Sequence, residues 1–192
     1  MTGDSTPTRL KPMTLALASV AVLAAATALL PQTFRPWNVS PIGALALFAA
    51  ARLGFWQGVG FVALALGLKD LGVYLHYNFE PHFPTWVCFA VYVALGWLLL
   101  TKTENPAIIA AGTVGAGMLF FLATNFVSWL EQALPYGYSL TGLGNCYEAA
   151  LPFYRNTLTG DMLFAAALFG AHAVLSRAYF PTERVSNAGQ AQ

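Results

Sequence analysis

The stretch that decides the fold is PFYRNTLTGDMLFAAALFGAHAVL, residues 152–175. Arg155, Asn156 and Asp161 crowd the start of a long apolar run. Asn156 reads as a helix N-cap, with Thr157 and Thr159 supporting the first turn. An acid near a helix N-terminus gains roughly 0.3–1 kcal/mol from the dipole. That gain leaves one thing unexplained: Asp161 lies more than one turn inside. An ionisable side chain within a membrane helix costs roughly 2.5–3.5 kcal/mol if it meets lipid. Asp161, Ala165, Leu168 and His172 recur at steps of four, three and four, so they share one helix face. That face is expected to look into a helix bundle or a wet cavity.

Composition places the rest of the chain in the same setting. Of 192 residues, 57% are hydrophobic and 9% are charged. Soluble domains carry roughly 25% charged residues, so this chain could not cover an aqueous surface and reads as an integral membrane protein. The net charge of +1 gives no basic field for nucleic acid. Cys88 and Cys146 are far apart and have no metal-ligand spacing.

A span of the hydrocarbon takes about 20 apolar residues, and six segments are candidates. The first, Met13 to Leu30, follows Arg9 and Lys11 and is closed by Pro31. It also resembles a signal peptide, but it is long for that role and reads as the first membrane helix. The second starts at Ser40-Pro41, an N-cap followed by a proline at the first helical position, and runs to Arg52, short for a full span. The third is Phe55 to Leu68, extending toward Tyr74. The fourth is Thr85 to Leu100, the fifth Pro106 to about Leu134, and the sixth Thr157 to about Arg177. The fold class expected is therefore all-α: a polytopic six-transmembrane-helix bundle. Residues 1–12 and 181–192 form polar tails, and 13–180 form one membrane domain.

Lys and Arg near the helix ends set the orientation. With a cytoplasmic N-terminus, the inner side holds Arg9, Lys11, Arg52, Lys102, Arg177 and Arg184, against Arg35, Lys69 and Arg155 outside. Both termini are then cytoplasmic, as in a bacterial inner-membrane protein. The inner connections are short, Leu53-Gly54 and TKTEN. The outer ones are long, and NCYEAALPFY (145–154) could form an interfacial helix of its own.

Polar residues recur on the outer halves of four helices. Thr124, Ser128 and Glu131 share a face of the fifth helix, with Asn125 beside it. Thr85, Cys88 and Tyr92 share one on the fourth, and Asp70, Tyr74 and Tyr77 align on the third. Any one of these is accounted for by interhelical hydrogen bonding, worth about 0.6 kcal/mol each. Their agreement on one side points to an outward-facing polar cavity. Its expected lining is Asp161, Arg155, Asn125, Glu131, Asp70, Tyr92 and Cys88. An Arg155–Asp161 or Arg155–Glu148 pair would instead only fix the fold. Cys88 could offer a thiolate to a soft metal or cofactor, but a small buried packing residue explains it more simply. No phosphate loop, zinc motif or nucleophile elbow is present, so no enzymatic activity, cofactor or metal is expected.

Three stretches together carry a family resemblance. They are WNVSPIGALALFAAARLG, LFFLATNFVSWL and LPFYRNTLTGDMLFAAALFGA. They resemble a family of small bacterial membrane proteins known only as a domain of unknown function. The matching positions are Asn38, Ser40, Pro41, Gly43 and Ala44; Asn125, Phe126 and Trp129; and Arg155, Asn156, Thr157, Gly160 and Asp161. Ala50 or Ala51 stands where the family has Gly, and Lys69 before Asp70 departs from its pattern. The architecture is also similar to the substrate-binding subunits of energy-coupling-factor vitamin transporters. That likeness implies capture of a vitamin-like solute and an energising ATPase module as partner. Some solitary relatives of those subunits take up cobalamin through a cysteine, a role Cys88 could fill. The alternative is a non-catalytic accessory subunit of a larger membrane complex, docking through small-residue faces such as Ala21 with Ala25 and Ala24 with Ala28.

Overall fold

The computed structural model describes residues 39–78 and 80–179. Among them it is all-helical, with five helices: α1 (Ile42–Leu53), α2 (Phe55–Tyr77), α3 (Phe83–Leu100), α4 (Pro106–Leu130) and α5 (Leu140–Tyr179). The expected first helix, Met13 to Leu30, lies outside the described residues, as do Arg35 and Trp37. The count of six spanning helices is not supported. Four of the five described helices are long and apolar enough to cross a membrane. The exception is α1, whose 12 residues rise only about 18 Å against a hydrocarbon core of about 30 Å.

Local chemistry sets most of the boundaries. Pro41 stands at the cap position of α1, and Ser40 Oγ accepts from the Ile42 N–H at 3.3 Å. Gly54, at φ 112°, takes a conformation that costs other residues energy, so α2 can begin one residue after α1 ends. Asn78 closes α2 in the left-handed region, donating its N–H to Tyr74 O at 2.8 Å. Asn105 caps α4 by accepting from Ala107 N at 2.9 Å, ahead of a helix that opens on Pro106.

The expected third helix is α2, and it takes the longer of its expected extents, running through Lys69 and Asp70 and on to Tyr77. The larger correction is α5. The interfacial helix at 145–154 and the helix expected from Thr157 are one continuous helix of 40 residues with Pro152 inside it. Asn156 is therefore mid-helix and caps nothing. Thr157 and Thr159 instead donate back one turn, to Phe153 O at 3.1 Å and Arg155 O at 2.8 Å. At about 60 Å, α5 is twice the hydrocarbon thickness, so part of it stands outside the membrane core.

The short α1 is the centre of the packing. Residues Ile42 to Ala51 are all buried, as befits a helix that is apolar on every side. It packs against α2, α3 and α5, while α3 also lies on α4 and α4 on α5. Gly96 on α3 makes the closest approach possible, since a Cβ there would collide with the Leu47 backbone. Phe48 meets Phe169 of α5 edge-on at 5.0 Å between ring centroids. The outer surfaces of α2 to α5 carry exposed Leu71, Leu75, Val87, Leu98, Met118 and Leu163. In a bilayer these meet lipid at no cost.

Arg52 fastens the far end of α1. Its guanidinium donates to Leu100 O and to Thr103 O, each at 2.8 Å, and lies 4.9 Å from the Phe169 ring centroid. A cation at this end also complements the α1 dipole.

Candidate functional site

The arrangement begins with the missing length of α1. Since α2 starts at Phe55, the C-terminus of α1 lies level with the beginning of a full-length span. Its N-terminus then falls about 18 Å further in, short of the opposite face. Backbone that is not helical at such a depth is tolerated only where protein encloses it, and the first N–H groups of α1 need acceptors. Asp161 supplies one. Its carboxylate accepts from the Ala44 N–H at the first turn of α1 and from the Tyr92 hydroxyl of α3. Asp161 is 2% exposed and Tyr92 is 1% exposed, so water reaches neither.

The surroundings hold this contact in place. Gly43 leaves room for the carboxylate: a Cβ there would lie 2.5 Å from Asp161 Oδ1 and 2.8 Å from the Tyr92 ring. Phe89 stacks on Tyr92 at 5.7 Å, and Phe120 of α4 tilts against it at 5.4 Å. The negative charge thus sits on the positive end of a helix dipole, equivalent to about half an elementary charge, in apolar surroundings where such interactions are strengthened. Chemically, the group is an enclosed carboxylate with a phenol donor and a helix N-terminus, able to hold a proton or a polar solute group if it opens.

The seven residues expected to line a cavity are not gathered into one place. Asp161 and Tyr92 meet directly. Cys88 is a free, buried thiol one turn before Tyr92 on the same face of α3. Asp70 is buried between α2 and α3, bound by the Trp86 indole N–H at 2.7 Å and by Lys69 Nζ at 2.6 Å. Asn125 is half-buried and donates to Phe121 O of its own helix at 2.8 Å. Glu131 pairs with His82 Nε2 at 2.8 Å at the end of α4, and His82 Nδ1 lies 2.8 Å from Thr85 Oγ1. Arg155 is exposed, and among the described residues it forms no ion pair with Asp161 or Glu148. No group of three or more metal-ligating side chains occurs among the described residues.

Sequence reasoning missed the partner of Asp161. It is the backbone of α1, which carries no side-chain signal. The sequence carries two clues to it: a cap at Ser40-Pro41, and a second helix too short to span. Together they imply a helix N-terminus inside the membrane that needs an anion or an acceptor.

The fold and this contact define a class: an all-helical membrane protein built around a short buried helix whose N-terminus is held by an acid from a spanning helix. The chain belongs to the family of unknown function DUF6580, whose match covers residues 8–185. Two of the stretches that carry the family resemblance meet here in space. Gly160 lies against Val39 and Ser40, and Asp161 against Gly43 and Ala44. No curated protein and no solved structure matches the chain, so the likeness to vitamin-transporter subunits gains nothing from the comparisons.

Proposed function

We propose that this protein binds a small solute and passes it across the bacterial inner membrane, without covalent chemistry. The observation that carries the reading is Asp161, an ionisable side chain 2% exposed in the heart of a membrane bundle and set on the N-terminus of a helix that stops short of spanning. Ionisable groups inside a membrane are costly and tend to mark solute or ion pathways. Broken helices whose ends meet charge near mid-depth are how many transporters build their sites. In this reading the enclosed Asp161–Tyr92 contact is the closed form, and Tyr92 must swing aside for a polar solute group to share the carboxylate. In the same reading both termini are cytoplasmic, and an ATPase module or other membrane subunit supplies energy. The solute class is vitamin-like, small and polar.

The second reading is a non-catalytic accessory subunit of a larger membrane complex. It is favoured by how fully the other polar groups are matched within the chain: Asp70 by Trp86 and Lys69, Glu131 by His82, and Asn125 by its own helix. One experiment separates the two. The protein is purified gently from its native membrane, and small molecules released from it are identified by mass spectrometry. A stoichiometric solute that is lost in Asp161→Asn, with the variant still folded, supports transport. A stoichiometric protein complex without a solute supports the accessory role.

A further inference from the structure

The Asp161–Tyr92 contact is tight on one side and open on another. Toward α1 it is closed: a Cβ at Gly43 would lie 2.5 Å from Asp161 Oδ1 and 2.8 Å from the Tyr92 ring. Toward α4 it faces Gly117, where an added Cβ would stand 3.5 Å from Asp161 Oδ2 and 3.7 Å from the Tyr92 hydroxyl. Those are ordinary contact distances, so packing does not require a glycine at this buried position. Glycine is also a poorer choice than alanine inside a helix. What Gly117 supplies is room beside the hydroxyl.

The partners of the carboxylate give that room a use. The Tyr92 hydroxyl and the Ala44 N–H are both donors, and among the described residues no ion pair reaches Asp161. Two donors suit the anion. A protonated carboxyl has an O–H of its own to place, and the Tyr92 oxygen is the acceptor at hand. The Tyr92 hydroxyl must then turn its hydrogen away from Asp161, since two hydrogens cannot share one bond. Left facing the acid, that hydrogen would have no acceptor in apolar surroundings, which is costly. Gly117 is the side on which it can turn.

We propose that Asp161 takes up one proton and that the Tyr92 hydroxyl swings toward Gly117 as it does so, releasing α3 from α5. This deepens the transport reading and rests on it, because it names the event that opens the site. The closed form holds the anion and the open form holds the acid, so proton binding and opening are one equilibrium. Only an O–H bond forms and breaks: one proton enters from the medium on opening and returns to it on closing. α1 faces the pair with Gly43 and Ala44, α3 with Phe89, and α4 with Gly117 and Phe120, none of which titrates. The titratable neighbours are Tyr154 of α5, within electrostatic reach of Tyr92, and Cys88 one turn along α3. A phenol and a thiol are both weaker acids than a carboxyl.

The test is infrared difference spectroscopy of the full chain in phosphatidylcholine vesicles, titrated from alkaline to acid pH. A protonated carboxyl has a carbonyl stretch apart from the carboxylate bands. The expected result is one such band that Asp161→Asn removes, rising together with a change in tyrosine ring modes that Tyr92→Phe removes. Gly117→Ala fits the packing but fills the room, so it should keep the fold and shrink both signals roughly fivefold at the native midpoint, the effect of a tenfold change in proton affinity. Gly115 on α4 has nothing within 4 Å of an added Cβ, so Gly115→Ala should change neither signal. The proposal is overturned if no band is lost in Asp161→Asn, if the tyrosine change does not accompany the band, or if Gly117→Ala and Gly115→Ala behave alike. The transport reading fails separately: a band that titrates as described in a protein yielding no solute leaves the proton switch standing and removes its use in transport.

Discussion

Gly43 of α1 stands so close to Asp161 of α5 that a methyl group on it would lie 2.5 Å from the carboxylate Oδ1. The bare backbone at Gly43 and the acid at Asp161 therefore require each other. The helix end needs an acceptor where no water reaches, and the acid needs donors that lipid cannot supply. The Tyr92 hydroxyl takes the remaining side, so three elements distant in sequence meet at one enclosed carboxylate.

Gly43→Ala should lower stability by about 1–3 kcal/mol, the usual cost of overpacking a close contact. Its methyl would strike the Tyr92 ring as well as Asp161, so one side-chain adjustment cannot relieve it. The check is the midpoint of thermal unfolding in detergent. An unchanged midpoint would mean that the contact around Gly43 is looser than described.

Asp161→Ala removes the acceptor of both the Ala44 N–H and the Tyr92 hydroxyl. Each buried donor left without a partner costs about 1–3 kcal/mol. Asp161→Asn keeps one carbonyl oxygen and should cost less. Tyr92→Phe in the Asp161→Ala background should add little, because the hydroxyl is already orphaned. A double-mutant cycle on unfolding free energies should therefore show a coupling of roughly 0.5–3 kcal/mol. Strict additivity would show that the two residues do not act on one another.

What the sequence disclosed about this site was unequal. Asp161 was singled out because an acid in an apolar run has to be accounted for, and its face with Ala165 and His172 does turn inward. Ala165 is buried, and His172 lies 5.6 Å from Phe48. The starts of α3 and α4 fell within two residues of their positions, since proline and asparagine mark them. The start of α5 did not. Asn156, Thr157 and Thr159 have the composition of a helix beginning, yet the threonines bond back to carbonyls of the same helix. The two expected helices join into one across residues 154–157, and packing against α4 accompanies the helix through that stretch. Tyr147 of that earlier stretch donates to Leu122 O of α4 at 2.8 Å, a tie no local pattern could announce. The partners of Asp70, Glu131 and Asn125 were equally hidden, because side-chain pairing across helices leaves no period in the sequence.

Arg52→Lys should weaken the Arg52 end of the bundle despite keeping the charge. The guanidinium bridges two carbonyls, Leu100 O and Thr103 O, and a single ammonium lacks that fork. Losing hydrogen bonds of this charged kind costs on the order of 1.5–3 kcal/mol. The segment between α3 and α4 should loosen with it, so limited trypsin digestion should cut faster after Lys102 in the variant. Equal cutting rates would show that Arg52 does not restrain that segment.

Glu131→Gln should do much less than Asp161→Ala, although both acids hold a partner distant in sequence. The side chains of His82 and Glu131 are 51% and 44% exposed, so water can replace each partner when the other is removed. Exposed pairs of this kind contribute about 0–1 kcal/mol and are screened by salt. The unfolding midpoint of Glu131→Gln should therefore lie close to that of the native protein, and raising the salt concentration should erase what difference remains. Asp161 sits where neither water nor ions can enter, so the deficit of Asp161→Ala should persist at high salt. If Glu131→Gln proved as damaging as Asp161→Ala, the end of the bundle at His82 would have to be closed to water, and the contrast between enclosed Asp161 and solvated Glu131 would fail.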